Sequence, residues 1–200
     1  VDPATGQVRP PGSWEALRIY TVALTERDEK GDLKVVGFAP NFGNSWLYMF
    51  GWMNGGKFMD NDHDIQEPPA AEGRTCTLDD PRIAEALAFM TELYDTYDLD
   101  KTDNQCGYEI VRAFQAGFQS GSLDPFITGK VAMKIDGQWQ MKTLAAFGQH
   151  LNFGVAPPPL PKREMARGRA LISWCGGWAL AIPSVARHKD AAWEFIRFMT

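Results

Sequence analysis

Strand-like and helix-like stretches alternate along these 200 residues, and the alternation predicts an α/β fold. Three observations carry it. Leu33 to Phe38 is rich in Val and aromatic residues, as a strand is. Val131, Met133 and Ile135 alternate with Ala132, Lys134 and Asp136 at the period of two that puts one set of side chains on each face of a sheet. Between them, Ile83, Leu87, Met90, Tyr94 and Tyr97 recur at helical spacing behind Asp80-Pro81, an N-cap followed by a proline whose fixed φ suits the first helical position.

The remaining elements follow in order. After Pro10-Pro11-Gly12, Ser13 can cap a helix whose apolar positions are Trp14, Leu17 and Leu24, ending before the charged run Glu26 to Lys30. Pro40 and the turn-prone Asn41-Phe42-Gly43-Asn44 close the first strand, and Ser45 starts a very apolar helix that stops at Asn54-Gly55-Gly56. A helix is expected over Tyr108 to Ala116, then a loop through Gly117, Gly121, Asp124 and Pro125 to Gly129, then the strand at Val131, ended by Asp136-Gly137. Gln138 to Phe147 resumes a helix. Phe153 to Ala156 reads as a short strand running into Pro157-Pro158-Pro159-Leu160-Pro161, a stiff extended stretch without the backbone donors a central strand needs. Leu171 to Trp174, Trp178 to Ile182 and a helix from Lys189 complete the alternation.

Charge and motifs remove several functional classes. Twenty Lys and Arg against 25 Asp and Glu give a net charge of −5, with no basic run to hold a phosphate backbone, so no nucleic-acid partner is expected. No apolar stretch reaches the roughly 20 residues that span a bilayer. Nucleophile-elbow, zinc-protease, P-loop and dinucleotide motifs are absent, and His63, His150 and His188 stand far apart among polar neighbours. No enzyme and no cofactor is therefore expected. Asp60-Asn61-Asp62-His63-Asp64 begins like a calcium loop but has Ile65 where the loop's glycine belongs and Ala71 where its glutamate belongs. Cys76, Cys106 and Cys175 are too widely spaced for a zinc knuckle, which leaves one disulfide, Cys76 to Cys106, as a hypothesis for an oxidising compartment.

Aromatic residues are the positive signal: seven Trp, twelve Phe and five Tyr. Mid-helix Trp14, Trp52 and Trp193 are expected in the core. Trp139 follows Gly137-Gln138 at a strand end, Trp174 and Trp178 flank Cys175-Gly176-Gly177, and Trp46 stands just behind Asn44-Ser45. Strand ends and glycine-rich turns are where an α/β sheet meets its ligand, and a flat ring can stack on the C–H face of a sugar. The pattern points to binding without chemistry.

A resemblance is carried by motifs in a fixed order: Pro11-Gly12-Ser13-Trp14-Glu15-Ala16-Leu17, Val36-Gly37-Phe38, Asn54-Gly55-Gly56-Lys57-Phe58, Asp79-Asp80-Pro81, Phe126-Ile127-Thr128-Gly129-Lys130-Val131-Ala132-Met133, Gly137-Gln138-Trp139, Phe153-Gly154-Val155-Ala156-Pro157, Gly176-Gly177-Trp178-Ala179-Leu180-Ala181-Ile182-Pro183 and Lys189-Asp190-Ala191-Ala192-Trp193-Glu194-Phe195-Ile196. The sequence resembles the extracellular solute-binding proteins of ABC importers, family 1, of the maltose-binding and glycerol-phosphate-binding type. The resemblance implies the periplasmic-binding-protein type II fold, of which this chain would be mostly the second lobe plus a returning segment of the first. It implies an entry segment over residues 1–12, the second lobe over 13–153, an inter-lobe crossing over 154–161 and the returning segment over 162–200.

The same resemblance implies a sugar or sugar-like ligand in an inter-lobe cleft, transmembrane permease subunits as partners, a monomer, and a periplasmic or extracellular location with a lipid anchor as one option. Carried over position by position, it makes Asn44, Ser45, Trp46, Gly137, Trp139, Trp174, Gly176, Gly177 and Trp178 the ligand-binding residues. Two alternatives share the aromatic cleft. A secreted carbohydrate-active enzyme would need two paired carboxylates, and Asp124 and Asp136 are the acids available, although nothing in the sequence pairs them. A sensory or adhesion module would reuse the fold without transport.

Overall fold

The computed structural model describes residues 9–40, 44–59, 75–98, 107–169, 172–173 and 179–199. The acidic run Asp60 to Asp64, Cys106, and Trp174, Cys175, Gly176, Gly177 and Trp178 lie outside them. Cys76 is an exposed free thiol.

The expected alternation is present as seven α-helices and three strands among the described residues. Helix α1 (Trp14–Ala23) begins where Ser13 Oγ accepts the Ala16 N–H, and α3 (Pro81–Asp95) begins where Asp80 accepts the Arg82 N–H with Pro81 in the first turn. Both caps satisfy a donor that the helix start leaves open. Strands β1 (Glu26–Arg27), β2 (Leu33–Phe38) and β3 (Val131–Met133) form one sheet in the order β1-β2-β3. The β1/β2 pairing is antiparallel, and β2/β3 is parallel with Val36 opposite Val131 and Phe38 opposite Met133.

Helices α2 (Asn44–Met53) and α4 (Gly107–Gln115) join α1 and α3 around that sheet, while α5 (Gln140–Phe147) packs on the short turn of helix at Gly121–Leu123. Trp14, Leu17, Phe38, Phe50, Met53, Ala86 and Leu93 form the main core. Trp14 stacks on Phe89 at 4.3 Å between ring centroids, so its expected core place is confirmed. A second cluster of Val36, Tyr94, Tyr97, Val111 and Val131 packs α3 and α4 onto the sheet.

Two expectations need correction. Phe153 to Ala156 forms no strand: the segment is exposed, and the prolines behind it, lacking N–H donors, cannot continue a ladder. Trp193, expected in the core, is 55% exposed, because α7 (Lys189–Met199) buries none of its residues. The stretch from Lys162 to Arg169 contacts the end of α2 and the start of α3. Leu160 is buried in the main core, and its carbonyl accepts the Trp14 N–H at 3.2 Å.

Behind Leu160, α6 (Lys162–Ala166) puts Glu164 at the centre of a charge cluster with only 1% of the residue exposed. Arg167 reaches the Glu164 carboxylate at 2.7 Å, Arg169 at 3.5 Å and Arg163 at 3.6 Å. Arg169 also donates to the Trp52 carbonyl, and Arg163 to Asn54 and Glu85, which ties α6 to the end of α2 and the start of α3. Gly55 allows this approach. Its φ is +78°, and a Cβ there would lie 2.9 Å from a Glu164 carboxylate oxygen.

Candidate functional site

Because β2 and β3 run parallel, both present their carboxyl ends at the same edge of the sheet. That edge is where open α/β sheets bind ligands. The chain leaving β2 leads through Ala39 and Pro40 to the start of α2, which carries Asn44, Ser45 and Trp46. The chain leaving β3 leads through Lys134 to Gly137 and Trp139. Two segments about ninety residues apart in sequence, both expected to touch ligand, are thus brought to one end of the sheet by a single strand pairing.

The β2 end is held firmly. The hydroxyl of Tyr97 accepts the Phe38 N–H at 3.1 Å and donates to the Phe38 carbonyl at 2.5 Å, while Tyr94 donates to the Pro40 carbonyl. Burial pushes the Tyr97 phenol up to about 12, so it remains a donor at every physiological pH. Trp46 is half-buried, packing one side against the main core. Among the described residues, Trp46 lines a small cavity of about 60 Å³ with Phe38, Gln115, Pro125, Lys134 and Ile135. Ligand pockets for whole small molecules run from roughly 300 Å³ upward, so this pit has room for one substituent of a ring and not for the ring. A larger open groove of about 580 Å³ lies elsewhere, between α1 and α3, with Ile19 and Val22 on its wall and the Arg18–Glu92 ion pair beside it. Among the described residues, none of the expected ligand residues lines it.

Trp139 stands outside the pit and is 62% exposed. Its indole folds back over Gly137: a Cβ built there would lie 2.1 Å from the ring. Only glycine permits this placement, so the two residues form one unit, a ring with a backbone floor under one face. Ser45 is half-buried in the first turn of α2, where Asn44 also belongs.

Sequence reasoning missed the polar half of this edge. Lys134 Nζ contacts Asp124 Oδ2 at 2.9 Å and Asp136 Oδ2 at 2.7 Å. Gln140 also donates to Asp124 Oδ2, whose other oxygen accepts the Phe126 and Ile127 N–H groups. Asp136 accepts the Gly137 N–H at 2.8 Å, which links the ion cluster to the floor under Trp139. The alternation that marks β3 already put Lys134 and Asp136 on one face, so their pairing was legible there, whereas Asp124 arrives only through the turn at residues 125–129.

The cluster bears on chemistry. Burial alone would raise the Asp124 pKa, but the hydrogen bond and charge of Lys134, with the Phe126 N–H and the Gln140 amide, lower it below the ordinary carboxylate value. Lys134, desolvated yet flanked by two carboxylates, is raised above the ordinary lysine value. A glycosidase acid needs a raised carboxyl pKa, so Asp124 is built as a fixed anion and not as a proton donor. Among the described residues no group of three or more His, Cys, Asp or Glu could hold a metal ion. No helix among them is long and apolar enough to cross a membrane.

Comparison with known proteins now decides the class. The model of the bacterial extracellular solute-binding proteins matches residues 2–200. This chain belongs to that family. The family is one of extracellular solute-binding proteins by its description, and not of enzymes. Two solved structures share the fold of this chain, described as CpMnBP1 with mannobiose bound and CpMnBP1 with mannotriose bound. The first aligns with a TM-score of 0.63 at 24% identity, covering 96% of this chain and 43% of that one. The second aligns with a TM-score of 0.62 at 24% identity, covering 95% and 43%. The fold is therefore of the periplasmic-binding-protein type, and the chain spans less than half the length of these structures. Among the curated proteins, none matches it.

Proposed function

We propose that this chain supplies one wall and part of the opposite wall of a sugar-binding cleft in the substrate-binding component of an ABC importer, which captures a sugar and delivers it to transmembrane permease subunits without chemical change. One observation carries the reading: the parallel pairing of β2 with β3 sets Trp46 and the exposed Trp139 at the same carboxyl edge of the sheet. An exposed indole with a backbone floor is a stacking surface for the C–H face of a pyranose, and the adjoining pit fits one hydroxyl or hydroxymethyl group. The oligosaccharides bound in the two similar structures support a saccharide over other solutes.

In this reading residues 13–169 form the second lobe. Asn44, Ser45, Trp46, Gly137 and Trp139 face the cleft from it. The segment from about residue 170 onward returns to the first lobe, bringing Trp174, Gly176, Gly177 and Trp178 to the opposite wall, with the protein working as a monomer. The exposed apolar side of α7 supports that division, since a helix carrying Trp193, Phe195 and Phe198 needs a covering surface.

Calorimetry on the intact protein tests the proposal. Mannobiose, cellobiose, maltose and galactobiose form the panel, and at least one should bind and raise the melting temperature by mass action. Trp139→Ala should then weaken binding by about 1–3 kcal/mol, the range for losing an aromatic anchor, with the melting temperature of the free protein unchanged. Failure of every sugar to bind, or full affinity in the Trp139→Ala variant, would overturn it.

A further inference from the structure

We propose that the strand-end site takes an uncharged sugar and rejects acidic ones, uronates and sugar phosphates, because its cation is already neutralised from within the lobe. The inference rests on the sugar-site reading above and adds the charge of the cargo.

Lys134 is the charged residue lining the pit, alongside Trp46, Phe38 and Gln115, among the described residues. A site built for a carboxylate or phosphate offers arginine or lysine donors free to make charge-assisted bonds. Here the ammonium is held at 2.9 Å by Asp124 and at 2.7 Å by Asp136, and its side chain is 19% exposed. Two carboxylates against one ammonium leave the cluster with a net charge of −1. Asp124 is lowered and Lys134 raised, so both keep their charges at neutral pH. An anion entering the pit would meet that surplus negative charge at short range in a partly desolvated place, where repulsion is least screened.

Hydroxyl groups fare differently. An ammonium has three hydrogens, and two carboxylates leave one to donate to a ligand oxygen. Gln115 offers an uncharged amide with both donor and acceptor atoms. Asp136 holds the Gly137 N–H as well as Lys134, so the ion cluster and the floor of the Trp139 platform are positioned by one carboxylate. Asp136 is therefore a positioning residue for both the polar and the apolar recognition of a neutral ring.

The test pairs each neutral disaccharide with its uronic counterpart, since the two differ by a hydroxymethyl group against a carboxylate: mannobiose with dimannuronate, cellobiose with diglucuronate, galactobiose with digalacturonate. Calorimetry on the intact protein should find a neutral member that binds, with its acidic counterpart at least about tenfold weaker. That gap should shrink when salt is raised from about 0.01 M to about 1 M, as an electrostatic origin requires. Asp136→Asn removes one negative charge and should narrow the gap by at least about threefold, with its melting temperature measured alongside. If that variant does not fold, the wild-type pair and its salt dependence decide. An acidic sugar bound as tightly as its neutral partner, or a gap indifferent to salt, would overturn the proposal and leave the sugar site standing. No binding by any member of either series would instead overturn the sugar reading, and this inference with it.

Discussion

Helix α1 puts Trp14 and Leu17 into the core, whereas α7, of nearly the same length, leaves Trp193 55% and Phe198 85% exposed. Both carry apolar residues at helical spacing. The difference lies in what surrounds them. Helix α1 is pressed between the β2 strand and the α2/α3 pair, with its first residue hydrogen-bonded to Leu160; α7 buries none of its residues among the described elements. An amphipathic stripe thus records that a face is to be covered, without naming the cover.

The comparison can be broken most severely from the core. Phe50→Ala should destabilise the protein by about 3–5 kcal/mol, measured by denaturant unfolding, because the ring is 1% exposed and no neighbour can collapse fully into its space. A loss below about 1 kcal/mol would mean that the cluster around α1 and α2 is as loosely held as α7.

A smaller effect is expected from the charge cluster behind Leu160. Glu164→Gln keeps the shape but removes the anion that three arginines address, and should cost about 1–3 kcal/mol in the same assay. The arginines are all partly exposed and can recover water, which keeps the figure below that of a fully buried pair. An unchanged stability would free α6 from the lobe and move the boundary back toward Lys162.

Asp80 supplies a pH-dependent test. The Arg82 side chain, with the Arg82 and Lys57 backbone donors, lowers its pKa from 3.8 to about 2. A carboxylate depressed by folding adds stability that is fully present above its unfolded value and lost as pH falls through the folded one. The contribution should therefore fade between pH 3.8 and about 2, and Asp80→Asn, still a good N-cap, should flatten that part of the stability profile. Identical acid limbs in the two proteins would count against the pairing.

The smallest effect belongs to α7. In residues 1–200 alone, Phe198→Ser should change stability by less than about 0.5 kcal/mol, as exposed sites do. In the intact protein the same substitution should cost measurably more if α7 is covered by the first lobe. Equal effects in the two settings would remove the support that α7 gives to the two-lobe division.

How far the sequence could be read follows the range of the forces involved. Local signals translated faithfully: the Ser13 and Asp80 caps, Pro81, the glycine stop at Gly55 and the alternation at Val131 all act within a few residues, and each marks the element it should. The parallel pairing that unites Trp46 with Trp139 is non-local, and only the family resemblance anticipated the two together. Asp124 shows the limit. The sequence offers nothing to join it to Asp136, because the joining residue is Lys134 and the geometry is set by a turn of five residues. Phe153 to Ala156 failed for a related reason: its composition suits a strand, but a strand exists only where a neighbour can exchange hydrogen bonds with it.

The pairing of Ser13 with Leu160 has a use outside binding. It is a parallel bridge, so the residue just before α1 and the stretch just before α6 stand side by side. A unit whose ends adjoin can be lifted out of one protein and set into a surface loop of another without spacers, since the host loop need open only by the width of one strand pair. In the lobe division proposed above, residues 13–169 would make such a cassette, closed by this bridge nine residues before its end.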